Sequence, residues 1–293
     1  MLSELKYVFD YVSGKDIAGR YFNVFPDDTF LVSFPRSGNT WTRFLVGNLI
    51  RPNTPITFLN VESVIPDINA LSNHYLDHYP RPRLLKSHEH FHPRYRKLIY
   101  IARDPRDVAL SHYNWQRKRQ EIDDQFPLDQ YISRFIAGNI AGWGSWGEHV
   151  LSWMATWHND PDFLLLQYEA MLADPVRELG RVATFLGIEA THERLATAVD
   201  RSSAENMRKM EKDQGGEWVA TKTSRKDIPF VGKAKKGNWR SLLSESSIEQ
   251  IESAWGPLMN TLGYELTRHP CPALQPPFIE LGDWRARHNQ SHM

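Results

Sequence analysis

Cysteine is nearly absent. Cys271 is the only one among 293 residues, which excludes an intrachain disulfide framework and a cysteine-rich zinc site. A charge excess is absent too. Lysine plus arginine number 35, and aspartate plus glutamate also 35. A protein that coats nucleic acid carries a basic surplus, so no nucleic-acid partner is expected and any anion binding must be local. No apolar run approaches the roughly 18 residues that a membrane helix needs, so no membrane span is expected. The opening MLSELKYVFDYVSGKD lacks the apolar core of a secretory signal, which makes the cytoplasm the expected compartment. G-x-x-x-x-G-K-[ST] does not occur, and there is no internal repeat or low-complexity linker.

The chain does hold enough apolar matter for a sizeable core, at 41% hydrophobic residues. It is also rich in aromatics at 12%, ten of them tryptophan, which suits core packing or the walls of a pocket. Short apolar runs at 30–34 (FLVSF), 83–86, 97–102 (KLIYIA) and 163–167 (FLLLQ) predict four buried strands. Helical patterns are expected at 39–50, from Asp104-Pro105 to about Arg119, and at 175–187, 191–199, 203–211 and 245–262. Strands alternating with helices imply an α/β fold with a central parallel sheet flanked by helices. One domain is expected over 1–293, with its core at about 28–264. An N-terminal helix and a Pro-rich tail after Thr267 should pack on that core.

Two strand-to-helix junctions carry the chemistry. The first is Phe34-Pro35-Arg36-Ser37-Gly38-Asn39-Thr40-Trp41. A loop that enters a helix presents amides without intrahelical partners, at the positive end of the helix dipole. Gly38 lets backbone approach an oxyanion, Arg36 adds a cation, and Ser37, Asn39 and Thr40 add short donors. The alternative is a tight turn that happens to contain arginine. The second junction runs from Ile99 to Ser111. Arg103 ends a strand there, and Ser111 lies about two turns into the following helix. Together they could grip a terminal phosphate. Alternatively, Arg103 forms a salt bridge with a nearby carboxylate. Arg106 and Asp107 read as solvated surface charge. His74, His78, His88, His90 and His92 fall within 19 residues. They lie in a loop-rich stretch with Pro80 and Pro82. His88-Glu89-His90-Phe91-His92 spells H-E-x-x-H, but that spacing holds zinc only where a helix puts both histidines on one face, so no metal is expected.

In this order and separation, the two junctions resemble the 5′-phosphosulfate loop and the 3′-phosphate motif of PAPS-dependent cytosolic-type sulfotransferases. PAPS is 3′-phosphoadenosine 5′-phosphosulfate, and PAP is the bisphosphate it leaves behind. The family's Gly-Ser-Trp-x-x-His segment is matched by Gly144-Ser145-Trp146 with His149. Its Tyr-Glu-x-Met-x-x-Asp-Pro segment is matched by Tyr168 to Pro175. The resemblance covers about residues 28–264 and implies a P-loop-like fold, PAPS as sulfate donor and no metal. It places Tyr168, Trp41, Ser202 and Met207 around the adenine. Leu84-Leu85-Lys86-Ser87-His88 resembles the family's Lys-Thr-His segment. That makes His88 the general base, Lys86 a cation on the transferring sulfuryl, and Arg36 the stabiliser of the leaving oxygen. The family's late loop over the 3′-phosphate appears as Gly232-Lys233-Ala234-Lys235-Lys236-Gly237-Asn238-Trp239. Gly232 stands there for Arg and Ala234 for Gly, and Lys235 or Lys236 can substitute for the missing charge. The dimer motif after Trp239 is matched only by Arg240, Ser244 and Glu249, so dimerisation by that route is not expected.

The acceptor this implies is a small phenol, an alcohol or a glycolipid headgroup. Residues 52–82 and 212–232 would wall its site, with Phe58, Tyr75, Tyr79, Trp218 and Phe230. The competing functions are a non-catalytic nucleotide-binding module of the same fold and a P-loop-like kinase.

Overall fold

The computed structural model describes residues 18–19, 22–140, 142–157, 160–232 and 235–267. The expected N-terminal helix, Lys233 and the Pro-rich tail lie outside the described residues.

Four strands, β1 (Thr29–Ser33), β2 (Leu84–Ser87), β3 (Lys97–Ala102) and β4 (Phe163–Gln167), form one parallel sheet in the order β2-β1-β3-β4. Leu31 is in register with Lys86 on one side and Ile99 on the other, and Tyr100 with Leu165. Helices α1 (Asn39–Ile50), α2 (Asn73–Asp77), α3 (Pro105–Arg119), α4 (Leu128–Ile136), α5 (Trp146–Trp157), α6 (Tyr168–Ala173), α7 (Pro175–Leu186), α8 (His192–Arg201), α9 (Ala204–Gln214), α10 (Trp239–Leu242) and α11 (Glu245–Thr261) surround it.

The interiors of β1 and β3 are apolar on both faces because both faces of the sheet are covered. Alternate side chains go to opposite cores. Phe30, Val32, Leu98 and Tyr100 pack with α3, α4, α5 and α11, while Leu31, Ile99, Ile101 and Leu166 pack with α1, α7 and α8. A third apolar cluster joins Phe44, Ile56, Phe58, Val61, Met207 and Trp218.

α4 and α5 were not expected. α4 buries Tyr131, Ile132 and Phe135 along one stripe. α5 opens on a capping box: Ser145 Oγ accepts from the Glu148 amide, and the Glu148 carboxylate accepts from the Ser145 amide. The expectation for Arg106 and Asp107 is corrected. Both are buried, because each has found long-range partners that offset the cost of removing charge from water.

The chain leaves β1 toward β2 on one side and later reaches β3 on the other. The C-terminal ends of β1 and β3 therefore flank a topological switch point, where open α/β sheets form a crevice. Both strand-to-helix junctions emerge there.

Candidate active site

The loop after β1 turns through two left-handed residues, Arg36 (φ 69°) and Gly38 (φ 102°). Gly38 is the N-cap of α1, and no side chain caps that helix. The first-turn amides of Asn39, Thr40 and Trp41 are thus left for a ligand. A Cβ on Gly38 would lie 2.5 Å from Cδ2 of Tyr168, so only glycine lets that ring close on the loop. Ser37 Oγ is buried with no hydrogen-bond partner. Asn39 departs from its expected role. Its Nδ2 donates to the Leu31 carbonyl and to Ser33 Oγ, so its donor braces the loop on β1.

Arg103 arrives from the end of β3. Its Nη1 donates to the Arg36 carbonyl at 3.0 Å, its guanidinium lies 4.2 Å from the centre of the Tyr168 ring, and its buried Nε has no partner. No carboxylate pairs with it among the described residues, so the salt-bridge alternative is not what forms. Arg36 is half-buried. Its Nε donates to Ser111 Oγ at 3.2 Å and its Nη2 to the Phe230 carbonyl at 3.3 Å. Its guanidinium lies 4.6 Å from the Phe230 ring centre and 5.2 Å from that of Trp115. Burial, and then the charge of Arg103, pull its pKa down to about 10. Two cations thus act on one another at this junction, an arrangement that an anion would relieve. Ser111, expected beside Arg103, instead reaches Arg36.

Trp41 meets Tyr168 edge-on at 5.7 Å, and its Nε1 donates to the Ser202 carbonyl at 3.0 Å. The Ser202 hydroxyl is spent elsewhere, donating to the Ala198 carbonyl and accepting from Asn48. Ser202 therefore positions Trp41 through its backbone rather than offering a side chain. Met207 sits in the third apolar cluster, against which Trp41 packs.

His88 follows β2. Its Nδ1 lies 2.7 Å from the Ser33 carbonyl, which can only accept, so Nδ1 carries the proton and Nε2 the lone pair. The His88 amide donates to Asn69 Oδ1 at 2.9 Å, and its carbonyl accepts from His149 Nε2 at 3.0 Å. His149 is itself oriented, with Nδ1 accepting from the Tyr100 hydroxyl at 2.9 Å. Burial, followed by the charge of Lys86, pushes the His88 pKa well below the ordinary value. The imidazole is neutral at pH 7. Lys86 is 2.8 Å from Asp67 Oδ2, a partner the sequence did not announce. The Trp143 ring stands edge-on to His88 at 5.9 Å.

Comparison with known proteins settles what this constellation belongs to. The sulfotransferase domain family matches residues 26–263. The chain belongs to the sulfotransferase family. It is thus an enzyme of the PAPS-dependent class that its two loop motifs resemble. It is 28% identical over 247 residues to dog sulfotransferase 1B1, covering 79% of this chain and 83% of that one. Its fold is that of the mouse sulfotransferase SULT7A1 complexed with PAP, at TM-score 0.69, 23% identity and 91% coverage of both chains. It is also that of retinol dehydratase in complex with retinol and PAP, at TM-score 0.68, 22% identity, and coverage of 90% and 88%.

The residues of this sulfotransferase fit a nucleotide that is anionic at both ends. Ser37 Oγ and Arg103 Nε are buried donors without partners, and the uncapped amides of α1 lie beside them. Lys235 and Lys236 are exposed on the loop before Trp239. The clustered histidines have separate duties: His88 turns to Ser33 and His90 to the Trp143 carbonyl, while the His74 and His78 rings lie tilted against each other at 4.4 Å. Among the described residues no helix is long and apolar enough to cross a membrane, and no group of side chains is arranged to hold a metal. Sequence reasoning missed Asn69, Asp67, Tyr100, Trp115 and Trp143. Their partners lie 19 to 115 residues away, and no local pattern marks them.

Proposed function

We propose that this sulfotransferase moves the sulfuryl group of PAPS to the hydroxyl of a small acceptor with an apolar body, a phenol or an alcohol, and that His88 is the general base. The observation that carries the reading is the meeting of Arg36 and Arg103, unpaired with carboxylates among the described residues, together with a histidine whose Nδ1–H is held by the Ser33 carbonyl at the end of β1, which leaves Nε2 to accept a proton. PAPS when bound supplies an activated sulfuryl group on a leaving bisphosphate. The α1 amides and Arg36 hold its 5′ end, Arg103 its 3′-phosphate, and Trp41 and Tyr168 its adenine.

His88 Nε2 takes the acceptor hydroxyl proton as the acceptor oxygen bonds to sulfur and the bridging S–O bond breaks. The electron pair leaves on the 5′-phosphate, where Arg36 offsets the developing charge. Arginine does so as a fixed cation, never as a proton donor. Positioning and electrostatics account for most of the rate, as in phosphoryl transfer. Lys86, held by Asp67, adds positive potential near the sulfuryl oxygens. Trp143, Trp115 and Phe230 provide aromatic surface for the acceptor body.

PAP at a hundred times its Kd should raise the melting temperature by about 5 °C, while ATP with Mg²⁺, or zinc, should leave it unchanged. A rise with ATP-Mg²⁺ equal to that with PAP would favour a kinase and overturn the donor assignment.

A further inference from the structure

Asp107 takes no part in the chemistry above, yet it is almost wholly buried at the start of α3. Each of its carboxylate oxygens accepts one backbone amide from far along the chain. Oδ2 accepts from Gly237 at 2.6 Å and Oδ1 from Trp239 at 3.1 Å. The neighbouring Arg106 completes the fastening. Its guanidinium is chelated by the N-cap carboxylate of Asp104 at 2.9 and 2.7 Å, and it pairs with Glu252 on α11 at 2.6 Å. It also lies 3.7 Å from the centre of the Trp239 ring. Gly237 adopts φ 75°, a left-handed turn that suits glycine and delivers its amide to Asp107. The loop ending at Trp239 is therefore fixed at two amides and one ring, one helical turn beyond Arg103.

That loop carries Lys235 and Lys236. Both are exposed, and neither pairs with a carboxylate among the described residues. Asp107 is close enough to Arg103 for the guanidinium to ease its ionisation against the opposing effect of burial.

We infer that Asp107 is a positioning residue for donor recognition. By holding the Gly237 and Trp239 amides, it fixes the Lys235–Lys236 stretch beside Arg103, so that these ammoniums help select a nucleotide bearing a 3′-phosphate. The inference rests on the donor reading above. It assigns Asp107 to specificity, where a latch of purely structural value would treat all nucleotides alike.

Calorimetric titration with PAP and with adenosine 5′-phosphate tests it. The wild-type chain should prefer PAP. D107A should weaken PAP about tenfold and change adenosine 5′-phosphate by less than about twofold, with D107N in between, because asparagine can accept one of the two amides. The exposed pair K235A/K236A should weaken PAP alone to a similar degree. Combining it with D107A should add little, since both act through one element. Equal weakening of both nucleotides by D107A, or full additivity with the lysine pair, overturns the inference. If D107A fails to fold, an unchanged PAP preference in K235A/K236A overturns it alone. A wild-type chain with no preference for PAP would bring down the donor reading as well.

Discussion

Replacing His88 with alanine should lower turnover by about 10²- to 10⁴-fold, the usual contribution of a positioned proton acceptor, and leave PAP affinity within about twofold. The split follows from where the ring is held. Its Nδ1 is tied to the Ser33 carbonyl, its backbone to Asn69 and His149, and none of these contacts belongs to the Arg36 or Arg103 loops. The pH profile should carry the same signature. Burial and Lys86 disfavour the imidazolium, so the ring stays a base as pH falls through 6.5, and the acid limb of kcat should lie well below that value. Single-turnover transfer, read by mass spectrometry across pH, checks both. Near-normal turnover in His88→Ala, or an acid limb at the ordinary histidine value, would remove His88 from the proposed role.

The second large effect is on stability. His112 and His149 are buried, and burial pulls both down to about 3 from 6.5. His112 is tied to the Tyr131 hydroxyl at 2.6 Å and lies against Phe34 and Phe135. In the unfolded chain each takes up a proton below about 6.5, while in the folded chain neither does until about 3. Their contribution is therefore fully present above 6.5 and is lost as pH falls toward 3. The loss is about 1.4 kcal/mol per pH unit for each ring. From pH 6.5 to 4.5 the two together remove about 5 kcal/mol, a large share of the ~5–15 kcal/mol typical of a folded domain. Glu169 and Asp107, pushed up by burial, act in the opposite sense, so the readout is a difference between variants. His112→Asn keeps a polar partner for Tyr131. In urea unfolding between pH 6 and 4.5, it should flatten the dependence of stability on pH by about 1.4 kcal/mol per unit. An unchanged slope would mean that His112 titrates in the folded chain.

The sheet and the two strand-to-helix loops were legible because their signals are local. β1, β3 and β4 are short apolar runs, and Asp104-Pro105 announces the start of α3 at the residues where the helix forms. The Ser145-x-x-Glu148 box that opens α5 was equally local and went unread. What was not legible depends on partners distant in the chain. A charged residue reads as solvated unless something offsets its burial. For Arg106 and Asp107 that something is Glu252, Gly237 and Trp239, about 130 to 146 positions onward. Lys86 looked like an open cation, yet Asp67 holds it. The aromatic contacts of Arg36 come from α3 and from Phe230, and only the folded chain brings them together.

The central claim is that one nucleotide spans the Arg36 and Arg103 loops, and a crystal structure of the PAP complex tests it most directly. The 5′-phosphate should rest on the amides at the start of α1 beside Arg36, with the 3′-phosphate within hydrogen-bond reach of the Arg103 guanidinium. A bisphosphate seated elsewhere, or touching only one of these arginines, would contradict the account.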